Sequence, residues 1–392
     1  MASADRFIRP YLVHPKLIEQ PTWGGQYIVT SKGWGDNQSL MNVKIGQSYE
    51  LFSGSNLSLA ASTDDASFTY ELTDRDAVAR ATAPSNSVSL ADLIANQPDK
   101  VLGPGKTKVN LLIKYTQALG NSFQVHMKSG ASHPTFKPKP ESWYYFEPGL
   151  ITLGVRPDID WAEYETVCRE VESAMKQIGA RVASGSFAYD EAVTEVNSLL
   201  KAQDPWRFVN TVPVAKDELV DLSAGGIHHS WEEDAARAPR GNILYELQAE
   251  ALDNISTFRS FDKGKLGQDG EIRSLQIDEY FTAIDRSDVA NDPTGHMRTA
   301  QAVTTGDGYS LGRLMKSGYY NLDKLDMIHE KARYTEENSS YRHLFVKAGR
   351  VEVTAGTTTV TVGTCHSCFI PAGALRYHVT SLAANTQILV SH

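Results

Sequence analysis

Cysteine is scarce. Three cysteines in 392 residues cannot form a disulfide framework, and their odd number points to a reducing compartment. No uninterrupted apolar run approaches the ~20 residues that span a bilayer, so no membrane partner is expected. The opening residues MASADRFIRPYLVHPK hold no apolar core of a secretory leader, which makes the cytoplasm the expected compartment. Positive charge is in deficit, with 38 Lys and Arg against 47 Asp and Glu and a net charge of −9. That balance argues against a nucleic-acid partner, because such proteins carry a basic stripe. It leaves room for a small anionic ligand, since a few clustered cations decide the local potential. Low-complexity tracts and short-period repeats are absent.

What is present is ordinary globular material, 41% hydrophobic and 22% charged, long enough for two or three packed units. Residues 1–157 read mostly as short strands and turns. A Gly-rich turn lies at Thr22–Trp23–Gly24–Gly25, and Ser89 can cap a short helix carrying Leu90, Leu93 and Ile94. Residues 158–205 change character: apolar side chains from Trp161 to Ile178 recur at helical spacing, Gly179 is expected to close that helix, and a second helix stops before Pro205. This is a helical hairpin inserted into a β-rich chain. Strand signals return over 206–270, with a loop or short helix expected between Ser230 and Gly241. Residues 271–340 read as a helical connecting segment, and 341–392 as a small barrel-like β module.

The stretch Leu111–Lys128 organises the rest. Leu111, Leu112 and Ile113 form a buried strand, Ala118–Leu119–Gly120–Asn121 a turn, and Ser122–Met127 a second strand. Alternation along that strand puts Ser122, Gln124 and His126 on one face and Phe123, Val125 and Met127 on the other. The polar face either meets water or offers an amide oxygen and an imidazole nitrogen to one metal ion. Glu141 opens the aromatic strand that follows Lys137–Pro138–Lys139–Pro140. Beside so much aromatic surface its carboxylate must be solvated, paired or bound to a cation. After Gly225–Gly226, only one of His228 and His229 can face the Gln124/His126 surface. Cys365–His366–Ser367–Cys368 has no further ligands nearby and is not expected to bind metal; Cys168 reads as a buried core residue.

These motifs also occur in a known order. Trp23–Gly24–Gly25, Leu112–Ile113–Lys114, Gln124–Val125–His126, Lys139–Pro140–Glu141, Asn210–Val214, Ala224–His228 and Thr257–Phe258–Arg259 resemble the motif series of the type I phosphomannose isomerases over nearly the whole chain. The resemblance implies a mainly β fold of two cupin (jelly-roll-like) barrels with an inserted helical region. It implies one Zn²⁺ per chain held by Gln124, His126, Glu141 and His228, and Arg259 as the active-site arginine. Lys139 and Glu246 join Arg259 as catalytic candidates, and Ser122 and Lys265 are candidates for substrate binding. The implied activity is interconversion of mannose 6-phosphate and fructose 6-phosphate through an enediolate, with a small sugar phosphate as partner. An isomerase of a different, unphosphorylated sugar and a non-catalytic sugar- or metal-binding cupin are the competing readings.

Overall fold

The computed structural model describes residues 5–21, 23–73, 84–223, 225–230, 236, 238–251 and 253–392. Thr22, Ala224 and most of the stretch expected to form a loop or short helix after Ser230 lie outside them. Two compact units emerge. One comprises the described residues of Met1–Gln117, Leu244–Glu250 and Arg298–His392, the other those of Ala118–Ile243 and Ala251–Met297.

The second unit carries a five-stranded antiparallel sheet in the order Val209–Val214, Gly149–Val155, His228–Ser230, Phe123–Val125, Phe258–Phe261. Against one face of it packs the helical hairpin of Trp161–Ala183 and Tyr189–Gln203. The first helix begins where Asp160 accepts hydrogen bonds from the amides of Ala162 at 2.8 Å and Glu163 at 3.2 Å, satisfying donors the helix itself cannot. Its buried stripe of Tyr164, Val167, Cys168, Val171, Met175, Ile178 and Val182 joins Phe123, Val125, Met127, Phe258 and Phe261 in one core. Full burial of each aliphatic side chain there is worth about 1.5–3 kcal/mol.

Gly179 does not close that helix, which runs on to Ala183. A Cβ at position 179 would sit 2.6 Å from the Gly270 carbonyl oxygen. The glycine is there because another backbone crosses the helix at that point, not because the helix ends.

In the first unit the expected C-terminal β module is completed by the beginning of the chain. Ser367–Ile370 pairs antiparallel with Tyr11–Val13, and that strand with Asn56–Ser58, inside a nine-stranded sheet. A four-stranded sheet of Arg333–Glu337, Arg376–Ser381, Val351–Ala355 and Thr358–Val362 contributes to the same core, which includes Leu12, Leu344, Val353, Val379 and Ile388. Cys368 lies within that core, while the Cys365 thiol turns to the Tyr115 hydroxyl at 3.7 Å.

The helical expectation for 271–340 holds for Ile277–Ala283, Asp288–Asn291 and the short 3-10 helix Pro293–His296. Gln301–Gly306, Tyr309–Lys316, Asn321–Met327 and Arg333–Glu337 are strands. The signal is the dipeptide Asp307–Gly308, a two-residue hairpin loop between the paired Gly306 and Tyr309 of the kind that turns two strands back on each other. The fold is mainly β with an inserted helical region, as expected. No described helix is long and apolar enough to cross a membrane.

Candidate metal centre

Three strands of the five-stranded sheet bring the site together. His228 and Arg259 both lie directly opposite Gln124 in the ladder, and opposed residues project from the same face of a sheet. His126, two residues beyond Gln124, continues that face. Phe123, Val125, Met127, Phe258 and Phe261 point the other way, into the core. Glu141 arrives from a separate strand pair, Glu141–Tyr145 with Leu219–Asp221. Gly225 fixes the approach to His228, because its φ of +82° is left-handed and disfavours any residue with a side chain. His228 takes the side that Gln124 and His126 face. His229 is turned to the core, its ring 4.9 Å from that of Phe123 and its Nδ1 3.2 Å from the Thr152 hydroxyl.

Donor atoms of His126, Glu141 and His228 lie within 4.8 Å of one another, and all three residues are buried. Gln124 Nε2 is 3.1 Å from His228 Nε2; a half-turn of the amide, whose oxygen and nitrogen are interchangeable in shape, presents its oxygen at the same point. His126 Nδ1 is 2.9 Å from the Ser256 carbonyl oxygen. A carbonyl can only accept, so the neutral ring carries its proton on Nδ1 and leaves a lone pair on Nε2. That lone pair faces Glu141 Oε2 at 2.8 Å, and two acceptors so close need a proton or a cation between them.

Electrostatics favour the cation. Burial, and then Lys139, push the His126 pKa below its usual value. Burial and then His126 push that of His228 down to about 3. Burial alone would raise the Glu141 pKa, but the Lys139 ammonium, 3.3 Å from Oε2, is the first of the charges and hydrogen bonds that hold it well below the usual carboxylate range. Two neutral imidazoles, one carboxylate and a neighbouring amide therefore fit a divalent metal such as Zn²⁺ better than they fit a shared proton.

The remaining candidates are placed as follows. Lys139 is buried and paired with Glu141. Ser122 is buried immediately before the Phe123–Val125 strand, and Lys265 Nζ donates to the Gly120 carbonyl at 2.7 Å. Glu246 belongs to the first unit, where it pairs with Lys114 at 2.8 Å and accepts from the Thr116 hydroxyl at 3.0 Å. Two groups at the centre escape the sequence reading. The Ser256 carbonyl is a backbone atom and leaves no residue signal. Trp143 does leave one: it stands two residues after Glu141, hence on the same face of the strand, and its indole Nε1–H donates to Glu141 Oε1 at 2.6 Å.

No protein-family model matches the chain, and no curated protein sequence matches it. Solved structures do. Mannose 6-phosphate isomerase from Bacillus subtilis superposes with a TM-score of 0.66 at 15% identity, covering 98% of this chain and 99% of that one. A mannose 6-phosphate isomerase bound with zinc and yttrium gives 0.62 at 13% identity, covering 98% of both chains. A putative mannosephosphate isomerase from Archaeoglobus fulgidus gives 0.59 at 14% identity, covering 98% of this chain and 97% of that one. The fold is the cupin-like one of these isomerases. This chain has a buried His126/Glu141/His228 group that could hold a metal.

Proposed function

We propose that the protein is a zinc-dependent aldose–ketose isomerase acting on a sugar phosphate, with mannose 6-phosphate and fructose 6-phosphate as the pair. The observation that carries this reading is the buried His126–Glu141 contact, whose two facing lone pairs call for a cation, in a fold shared with mannose 6-phosphate isomerases. Bound there by Gln124, His126, Glu141 and His228, zinc would supply Lewis-acid polarisation of a carbonyl and gather enediolate charge.

The chain's own groups do the rest. Arg259, on the same face of the sheet as Gln124 and His228, offers a planar fork to a phosphate or to developing negative charge. Lys139 adds positive charge next to Glu141 and is assigned to electrostatic stabilisation. Ser122 and Lys265 are assigned to the substrate's polar and anionic groups. Moving hydrogen between C1 and C2 also needs a base.

The test is a coupled assay of zinc-loaded protein over a panel of aldose phosphates and the matching free aldoses. Turnover of mannose 6-phosphate above all others supports the proposal. Turnover confined to a free aldose replaces the substrate and keeps the reaction. Zinc bound with no turnover on the whole panel rejects the isomerase.

A further inference from the structure

Trp143 is the least expected group at this centre. It is 2% exposed, and it touches two of the metal-facing residues at once. Its Nε1–H donates to Glu141 Oε1 at 2.6 Å, and its ring meets that of His228 edge-on, with centroids 5.4 Å apart and planes at 87°. The two carboxylate oxygens of Glu141 are thereby given different work. Oε1 is held by the indole, while Oε2 faces His126 Nε2 at 2.8 Å and Lys139 Nζ at 3.3 Å.

We propose that Trp143 is a positioning residue of the metal centre, one that fixes Glu141 so that it presents the single oxygen Oε2 to the cation and steadies the His228 ring beside it. The inference rests on the metal-binding half of the function proposed above and not on the identity of the sugar. Its physical basis is that an indole has one donor and no acceptor. It can restrain a carboxylate oxygen without competing for the metal, and it loses the restraint completely when the N–H is removed. Strand geometry makes the arrangement rigid, because Glu141 and Trp143 are consecutive on one face of a strand held to its neighbour through Trp143↔Val220 and Tyr144↔Leu219. Groups that orient a metal ligand from behind typically change metal affinity by roughly ten- to a hundredfold when removed.

The test uses the full-length protein, Zn²⁺ as the probe and two readouts. Competition titration with a chromophoric chelator should show Trp143→Phe, which keeps an aromatic ring and loses the N–H, binding Zn²⁺ roughly ten- to a hundredfold more weakly. Far-UV circular dichroism checks that this variant is folded. The second readout needs no variant: among the indole N–H signals of the 6 tryptophans in a ¹⁵N–¹H spectrum, one should lie downfield through its bond to a carboxylate and move when Zn²⁺ is added. Unchanged or tighter Zn²⁺ binding by folded Trp143→Phe overturns the proposal. So does a wild-type spectrum in which no indole signal responds to the metal. Failure of the unsubstituted protein to bind Zn²⁺ removes the metal centre and this inference with it. Zinc binding without sugar turnover removes only the isomerase reading and leaves the role of Trp143 standing.

Discussion

Replacing His228 by alanine should remove zinc, and replacing its neighbour His229 should not. The contrast follows from the strand register: His228 lies opposite Gln124, on the face of the candidate centre, whereas His229 packs on Phe123 with its Nδ1 at the Thr152 hydroxyl. Zinc held by four protein donors is typically bound by about 10–16 kcal/mol. Divided evenly among Gln124, His126, Glu141 and His228, that is roughly 2.5–4 kcal/mol per donor, or about 60- to 700-fold in Kd at about 1.4 kcal/mol per decade. His229→Ala deletes a fully buried ring instead, so its effect belongs to folding: a loss of about 2–5 kcal/mol, the range for large core side chains cut to alanine. Elemental analysis and chelator competition on both variants, with denaturant titration of the metal-free proteins, separate the two effects. If zinc is lost from His229→Ala and kept by His228→Ala, the register set by Gly225 is wrong and the metal centre is built from other residues.

Arg259→Ala should retain zinc, because the guanidinium is not a ligand, and should lower turnover by roughly a hundredfold or more, the scale of losing one charge-stabilising donor. Arg259→Lys should restore only part, and equal losses on phosphorylated and free sugars would assign Arg259 to the enediolate. Gly179→Ala should destabilise the second unit by about 1–3 kcal/mol through overpacking against the Gly270 carbonyl, whereas a helix-propensity argument predicts a gain; denaturation midpoints give the sign. Acid should destabilise the metal-free protein. Burial pushes His228, His343 and His366 each down to about 3, so the unfolded chain takes up protons near its ordinary histidine pKa of about 6.5 that the folded chain refuses. Their contribution is complete above about pH 6.5 and is lost as pH falls from there towards 3. A melting temperature flat between pH 7 and 4 would contradict this, and His343→Phe should make the decline shallower.

Much of the centre was legible because a strand alternates. Ser122–Met127 separates into a polar and an apolar face on sequence alone, and the structure sends Phe123, Val125 and Met127 into the core while His126 meets Glu141. Strand alternation alone leaves either His228 or His229 to face Gln124, and the resemblance names His228; in the ladder it is His228 that lies opposite Gln124. Gly179 was misread because a helix-ending glycine and a glycine that admits a crossing backbone look alike until the Gly270 carbonyl is in place. Leu275, Ile277, Tyr280, Phe281 and Ile284 recur at helical spacing for only a few turns, and the strands from Gln301 to Glu337 are marked by the Asp307–Gly308 hairpin loop instead. Trp143 is one aromatic in a run of four. Its contacts to Glu141 at 2.6 Å and to the His228 ring set it apart from Tyr144, Tyr145 and Phe146.

The central claim is that a buried zinc centre in this fold isomerises a sugar phosphate. The most direct measurement is turnover of mannose 6-phosphate to fructose 6-phosphate by the chelator-stripped protein as Zn²⁺ is added back, with bound metal counted in the same samples. Activity should rise from zero in proportion to bound zinc, saturate at one ion per chain, and disappear in His228→Ala. Turnover that survives complete removal of metal, or full zinc occupancy with no turnover, would contradict it.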